Sequence, residues 1–309
     1  MIKILMATYN GEKYISQQID SILNQTFGDW KIFIQDDCST DNTVNIIEDY
    51  VKRFPNKIFF HINDTPSGSS SNNFFSLIKK QVDDGGENEY LMLCDQDDIW
   101  EKDKIESLID LIKKEENIVG KNFPLLVHSN VCVVDENLNK LLIEMPNKAP
   151  SECGIYSKKQ ILLDNVVTGC TVLFNGALLK KITKFPDKCV MHDYWLAFIA
   201  IFFGKILFCE KSTVLYRQHS NNVMGAKKET FLDKISFKRL RKSKALRVST
   251  CDQAKSFLDM YLCDLSNNDI KLLEEYSSMY RSTYFHRLHS LIVLKMWRNT
   301  FGRKLIQLL

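Results

Sequence analysis

The chain has 309 residues, 45% of them hydrophobic, with 41 Lys and Arg against 38 Asp and Glu. That length and apolar share can bury a large core, which excludes a disordered chain and sets the expectation at one domain with an appendage. Nine scattered cysteines with no Cys-x-x-Cys pair point to reduced, buried thiols and against a disulfide framework or a zinc site. The net charge of +3 is unevenly placed. Residues 227–309 carry 17 basic against 8 acidic residues, and residues 1–226 carry 24 against 30. An acidic body and a basic tail imply two tasks.

No secretory leader is read at Met1, which opens directly into a strand pattern. The longest apolar run, Trp195 to Phe203, is short of a bilayer span and is followed by Lys205, so no membrane crossing is expected.

In chain order, Lys3 to Ala7 reads as a strand and Thr8 to Gly11 as a turn. Tyr14, Ile15, Gln18, Ile19, Ile22 and Leu23 recur at helical spacing. Trp30 to Gln35 is a second strand ending at Asp36-Asp37-Cys-Ser-Thr-Asp41, where Thr40 or Asp41 can cap the next helix. Lys57 to Ile62 is a third strand, and Thr65 to Asn73 is a polar loop leading into the helix of Phe74, Phe75 and Ile78. Leu91 to Cys94 is a short buried strand that stops at Asp95, Asp97 and Asp98, with a helix expected from Trp100. Leu125 to Val134 is a buried strand followed by a turn at Asp135 to Asn139, and residues 145–160 read as a loop. Val166 to Phe174 reads as one strand whose internal Gly169 suggests close approach of a ligand or backbone. Met191 to Trp195 opens the most apolar helix, and Thr213 to Tyr216 is a last strand before the polar loop Arg217 to Gly225.

Strand, helix, strand, helix at this spacing predicts an α/β fold with a mostly parallel sheet flanked by helices. In such sheets ligands sit outside the carboxyl ends of the strands, where Thr8–Glu12, Asp36–Asp41 and Asp95–Asp98 all fall. Beyond Gly225 the chain turns basic and helical. Its amphipathic stretches suit either an anionic membrane surface or a bundle packed on the body. No nucleic-acid motif accompanies the charge, so nucleic acid is not an expected partner.

Three carboxylates at one strand end repel one another unless a cation sits there, and hard oxygen ligands favour magnesium, manganese or calcium. The plain alternative is a solvated turn. An EF-hand reading of Asp37 to Glu48, echoed from Asp95 to Glu106, fails. The sixth position is Asn42 or Trp100 where Gly is needed, and each loop follows a strand. Asp-x-Asp at a strand end can instead hold a divalent ion that bridges two phosphates. Asp36 or Asp37 can bond a nucleobase or ribose. Asp193, heading an apolar helix, can act as a general base or merely cap that helix. His219 can ligate a metal or be an ordinary loop histidine. His61, His128, His286 and His289 read as structural.

Six motifs resemble family 2 glycosyltransferases of the GT-A fold, particularly rhamnosyltransferase-like bacterial members that build surface polysaccharides. They are Ala7-Thr-Tyr-Asn-Gly-Glu12, Asp36-Asp-Cys-Ser-Thr-Asp41, Cys94-Asp-Gln-Asp-Asp-Ile-Trp100, Thr168-Gly-Cys-Thr171, His192-Asp-Tyr-Trp195 and Leu215-Tyr-Arg-Gln-His-Ser-Asn-Asn-Val223. The resemblance runs from Ile2 to Gly225 and implies a GT-A catalytic domain over 1–226 with a helical, basic region over 227–309. It implies nucleoside contacts from Thr8, Tyr9, Asn10, Glu12, Asp36 and Asp37, with Asp95 supporting ribose and metal. Asp97 and His219 would hold Mg²⁺ or Mn²⁺, and Asp193 would be the catalytic base of an inverting displacement. Trp100, Asp98, Trp195 and Gly169 would face the sugars or the acceptor. Cys38 stands where the family usually has Gly, Cys170 where a second small residue is common, and His192 where Glu is common.

The resemblance favours a dTDP-rhamnose donor, with a UDP-hexose or UDP-N-acetylhexosamine as alternatives. It implies a glycan or lipid-linked glycan acceptor and a cytoplasmic protein peripheral at the inner face of the membrane. A non-catalytic nucleotide-sugar or cation-binding protein is the competing class.

Overall fold

A computed structural model describes residues 1–85, 89–141, 156–182, 184–186, 189–219 and 237–296, with side chains from 244 onward in the last segment. Strands β1 (Ile2–Thr8), β2 (Trp30–Asp36), β3 (Ile58–Ile62) and β4 (Tyr90–Cys94) form a parallel half-sheet in the order β3-β2-β1-β4. The crossovers are helices α1 (Ile15–Leu23), α2 (Thr43–Arg53) and α3 (Ser70–Asp83). β1 is buried on both faces, which is why it reads as a continuous apolar run with no alternation. Ile4 and Met6 feed the core on one side of the sheet and Leu5 the core on the other. The chain moves outward from β1 to β3, then returns to β4 on β1's opposite side. The crevice between β1 and β4 is thus a topological switch point, where ligands bind in open sheets of this kind.

The second half-sheet is mixed. β7 (Leu173–Asn175) runs antiparallel to β4 and to β6 (Leu125–Val134), while β8 (Lys205–Arg217) runs parallel to β6 with irregular register near Ser129–Val131. Four expectations need correction here. Ile99–Trp100 is a short strand, β5, paired with Leu215 and Val214 of β8, so helix α4 (Lys104–Val119) starts four residues after Trp100. Val166 to Phe174 is not one strand: a 3-10 turn at Gly169–Thr171 interrupts it before β7. α3 also reaches into the expected polar loop, because Ser69 Oγ accepts from Asn72 N and starts the helix at Ser70. α5 (Lys158–Leu163) begins in the last residues of the expected 145–160 loop, most of which falls outside the described residues. α6 spans Gly176–Lys181 and α7 spans His192–Phe203.

The expected domain boundary at 226–227 also lies outside the described residues. The helices beyond it, α8 (Phe237–Tyr261), α9 (Asn267–Met279) and α10 (Tyr284–Val293), share a core with α7. Trp195 meets Phe257 edge-on at 5.5 Å and Tyr261 at 6.4 Å, and all three rings are 2% exposed or less. Burying each such ring contributes roughly 1.5–3 kcal/mol, so α8 is a structural partner of the body as well as a basic segment. Among the described residues no cysteine is in a disulfide, and no helix is long and apolar enough to cross a membrane.

Candidate active site

Parallel pairing sets Thr8 opposite Asp36 and Met6 opposite Cys94, so the ends of β1, β2 and β4 bring three polar loops together. Thr8 Oγ1 donates to Asp36 Oδ1 at 2.8 Å, and Asp36 also accepts from Ser39 N at 2.7 Å and Ser39 Oγ at 2.6 Å. Asp36 is fully enclosed and spends three acceptor positions on the protein, so it builds the wall of the crevice. Asp37, 8% exposed, accepts from Asn63 Nδ2, Ser67 N and Ser67 Oγ and anchors the loop ahead of α3. The N-cap of α2 is Asn42, which makes no side-chain capping bond, so neither Thr40 nor Asp41 holds the expected cap position; Asp41, one residue earlier, accepts from Thr43 N at 3.0 Å through Oδ1.

The first loop is tied to both neighbours. Asn10 Oδ1 accepts from Thr40 N and Glu12 Oε2 from Asn42 N, each at 2.8 Å. Gln96 clamps Tyr9 from the other side, with its Oε1 accepting from Tyr9 N and its Nε2 donating to Tyr9 O, each at 2.9 Å. The Tyr9 ring is left 55% exposed, an open aromatic face at the mouth of the crevice.

The three carboxylates after β4 occupy different environments. Asp97 Oδ2 lies 2.8 Å from His219 Nε2, and the imidazole stacks on Tyr14 at 4.9 Å. Asp98 is fully buried and accepts from Arg217 N at 3.1 Å; burial first, then Asp97 and Asp95, push its carboxyl well above the carboxylate range. Asp95 keeps an open edge but is crowded by protein. Burial, then the charges of Asp97 and Asp193, raise it to about 7, against the pull of Lys104. Lys104 is buried beneath this acid, donates to Cys170 O at 2.5 Å and sits 3.5 Å from the centre of the Trp100 ring. Burial lowers its ammonium to about 8.

Which of these groups suit a cation follows from their chemistry. Asp95, Asp98 and Cys170 offer atoms within 4.8 Å of one another. The Cys170 thiol, however, is pushed well above its usual range by burial, and soft sulfur does not suit Mg²⁺ or Mn²⁺. Asp97 and His219 present an oxygen and a nitrogen donor side by side next to Asp95, a set whose imidazole suits Mn²⁺ better than Mg²⁺.

Asp193 stands in the first turn of α7, 7% exposed, where the helix N-terminus favours a carboxylate. It does not cap its helix. Oδ2 accepts from Gly169 N and Oδ1 from Asn165 Nδ2, each at 2.9 Å. A Cβ on Gly169 would lie 2.9 Å from His192 Nε2 and in ordinary contact with Asp193 Oδ2 at 3.5 Å, so it is the His192 ring that a side chain here would displace. Gly169, which holds Asp193, precedes Cys170, whose thiol lies within 4.8 Å of the Asp95 and Asp98 carboxylates, and this places the candidate base beside the acid loop.

Three expected sugar contacts are corrected by burial. Trp195 is 0% exposed within the α7–α8 core, Trp100 is 2% exposed against Lys104, and Asp98 is closed to solvent. None presents a face to a sugar. Residues that the sequence reading passed over take their place in the architecture: Gln96, Asn165, Lys104 and Tyr14. Arg217, quoted only as part of a motif, donates Nε to Asp97 O at 2.8 Å and stacks over Tyr14 at 4.6 Å. A lone Arg leaving a strand into a loop rich in ligand-type residues is the signal that was available for it.

Residues 3–142 match the family described as Glycosyl transferase family 2. The chain is 35% identical over 246 residues to the dTDP-rhamnosyl transferase RfbG of Shigella flexneri, across 76% of this chain and 78% of that protein. Among solved structures it resembles S. aureus TarS 1–349 in complex with UDP-GlcNAc (TM-score 0.60, 16% identity, 99% of this chain and 78% of that one). It also resembles mannosyltransferase PcManGT from Pyrobaculum calidifontis in complex with GDP-Man and Mn²⁺ (TM-score 0.53, 14% identity, 99% and 83%). Likeness at such identity shows the shared fold, the expected GT-A architecture. With a 35% identical relative matched over most of both chains, the protein belongs to glycosyl transferase family 2.

Proposed function

We propose that the protein transfers rhamnose from dTDP-rhamnose, with inversion at the anomeric carbon, to a hydroxyl of a growing, lipid-linked cell-surface glycan. The observation that carries this is Asp193, held by Gly169 N and Asn165 Nδ2 beside the acid loop at the switch point. The name of the 35% identical relative supports the donor.

The acceptor hydroxyl gives its proton to the Asp193 carboxylate as its oxygen attacks the anomeric carbon from the face opposite the nucleotide. The bond from that carbon to the diphosphate breaks with its electron pair, and dTDP leaves. One displacement inverts the centre without a covalent intermediate. Tyr9 offers its ring to the base, while Thr8, Asn10, Glu12, Asp36 and Asp37 shape the nucleoside pocket. Asp97 and His219, with Asp95 behind them, would hold Mg²⁺ or Mn²⁺, whose chemistry is neutralisation of the departing diphosphate. Residues 1–226 form the catalytic part, and the basic region from 227 keeps the protein at the inner face of the cytoplasmic membrane.

The experiment is transfer of labelled rhamnose from dTDP-rhamnose into the lipid fraction of membranes that carry unfinished glycan. Wild type should label that fraction and release dTDP. Asp193→Asn should retain dTDP binding yet lose transfer by orders of magnitude. Full-rate transfer by that variant would remove Asp193 from the role.

A further inference from the structure

Helix α10 is apolar on the side that faces away from the protein. Its inward residues, Arg287, Ser290 and Leu291, are buried, while Phe285 is 80% exposed and Ile292 and Val293 are each 56% exposed. Phe285, Leu288, His289, Ile292 and Val293 follow the i, i+3, i+4, i+7, i+8 spacing of a single helical stripe. Tyr284, at the start of the same helix, is 50% exposed.

Beside the stripe lies a cavity of about 460 Å³ between α5, α9 and α10. Leu272, Val293 and Leu294 give it apolar walls, and Lys159, Lys271 and His289 stand around it. Its two acids are engaged, Asp269 by Lys158 at 2.6 Å and Glu275 by Ser290 Oγ. Lys159 and Lys271 have no such partner among the described residues. Charge runs the same way along the sequence: residues 281–309 hold six Lys and Arg and no Asp or Glu.

From these observations we infer that the outward face of α10, with the Lys159–Lys271 cavity, is the surface that docks on an anionic phospholipid bilayer. The aromatic and aliphatic stripe enters the headgroup boundary, and lipid phosphates sit against the two lysines. Lys159 belongs to α5, six positions before the Asn165 that holds Asp193. Six residues span at most about 20 Å, so Lys159 stands within that reach of the asparagine that holds the proposed base, near enough for a lipid-linked acceptor to approach it. This deepens the lipid-acceptor part of the proposed function and assigns it to particular residues.

The test is flotation of the full chain with phosphatidylglycerol vesicles and with phosphatidylcholine vesicles. The variants are Phe285→Ser with Ile292→Ser, and Lys159→Glu with Lys271→Glu. Wild type should float with the anionic vesicles only, and each double variant should bind them at least tenfold more weakly. Both variants should keep the melting temperature and the dTDP-induced shift of wild type, so failure of the docking surface is separable from failure of the donor site. Wild type that ignores anionic vesicles, or double variants that float as wild type does, would overturn the assignment. So would a serine variant that only dissociates a dimer, which would make the face a contact between two copies. Release of the bound protein by millimolar inorganic phosphate at constant ionic strength would reduce the cavity to a free-anion site. Loss of flotation confined to deletion of residues 297–309 would move the contact to those residues.

Discussion

Gly169 N donates to Asp193 Oδ2 at 2.9 Å, joining the turn before β7 to the first turn of α7 across 24 positions of sequence. With Asn165 Nδ2 on Oδ1, this bond aims the carboxylate and leaves its second oxygen lone pairs for a substrate hydroxyl. Gly169→Ala would put a methyl 2.9 Å from His192 Nε2, so the buried imidazole beside Asp193, the proposed base, would have to shift. It should lower kcat at least tenfold with little change in the dTDP-induced thermal shift. An unchanged kcat would show that the close approach has no role in catalysis.

Asn165→Ala removes one of the two bonds that orient Asp193, the proposed base, while leaving that residue itself in place. The expected effect is a several-fold to hundredfold fall in kcat with the acceptor KM moved much less, measured by steady-state transfer. A loss confined to KM would place Asn165 in acceptor binding.

Cys38 has φ +64, a left-handed conformation that costs a non-glycine residue of order 1 kcal/mol. This explains physically why glycine is usual at that position. Cys38→Gly should raise stability by roughly 0.5–1 kcal/mol in urea unfolding, less whatever the contact of Cys38 Sγ with Asn63 O at 3.1 Å contributes. A destabilised variant would mean that the thiol contact outweighs the backbone strain.

Asp95 is raised to about 7 by burial and by the neighbouring carboxylates, whereas an unfolded aspartate titrates near 3.9. A raised carboxyl contributes stability that is complete below the unfolded value and is lost as pH climbs through about 7. In metal-free protein, Asp95→Asn should therefore gain stability relative to wild type between pH 5 and pH 8. Added Mn²⁺ should protect wild type increasingly over the same range. Comparing the two proteins by differential scanning calorimetry cancels the titration of groups they share. A difference that stays flat with pH would show that the cluster does not hold Asp95 protonated.

Most of the donor half was legible because its physics is local. Apolar runs such as Leu91 to Cys94 end at polar loops, and parallel pairing carries those ends to one edge without further information. The acceptor half depends on distant partners. Trp195 reads as an aromatic available to a sugar until Phe257 and Tyr261, over sixty residues later, close around it. Trp100 reads as the start of a helix until β8 supplies a strand to pair with. Asp95, Asp97 and Asp98 are indistinguishable by residue type. Arg217 and Lys104, more than a hundred residues from it and six, make Asp98 a buried structural acid and leave Asp97 to His219. The outward stripe of α10 was hidden for the same reason: only packing shows which apolar face of a basic helix is already used. That packing also rules out removing residues 227–309 wholesale as a membrane test, since it would strip Phe257 and Tyr261 from the α7 core.

The most direct measurement is a thermal-shift panel of dTDP, UDP, GDP and CMP, each with and without Mn²⁺, on wild type and Asp97→Asn. A Mn²⁺-dependent rise with dTDP in wild type, lost in Asp97→Asn, is the predicted result. No rise with any nucleotide, or a rise that survives the substitution undiminished, would contradict a metal-assisted donor site at the ends of β1, β2 and β4.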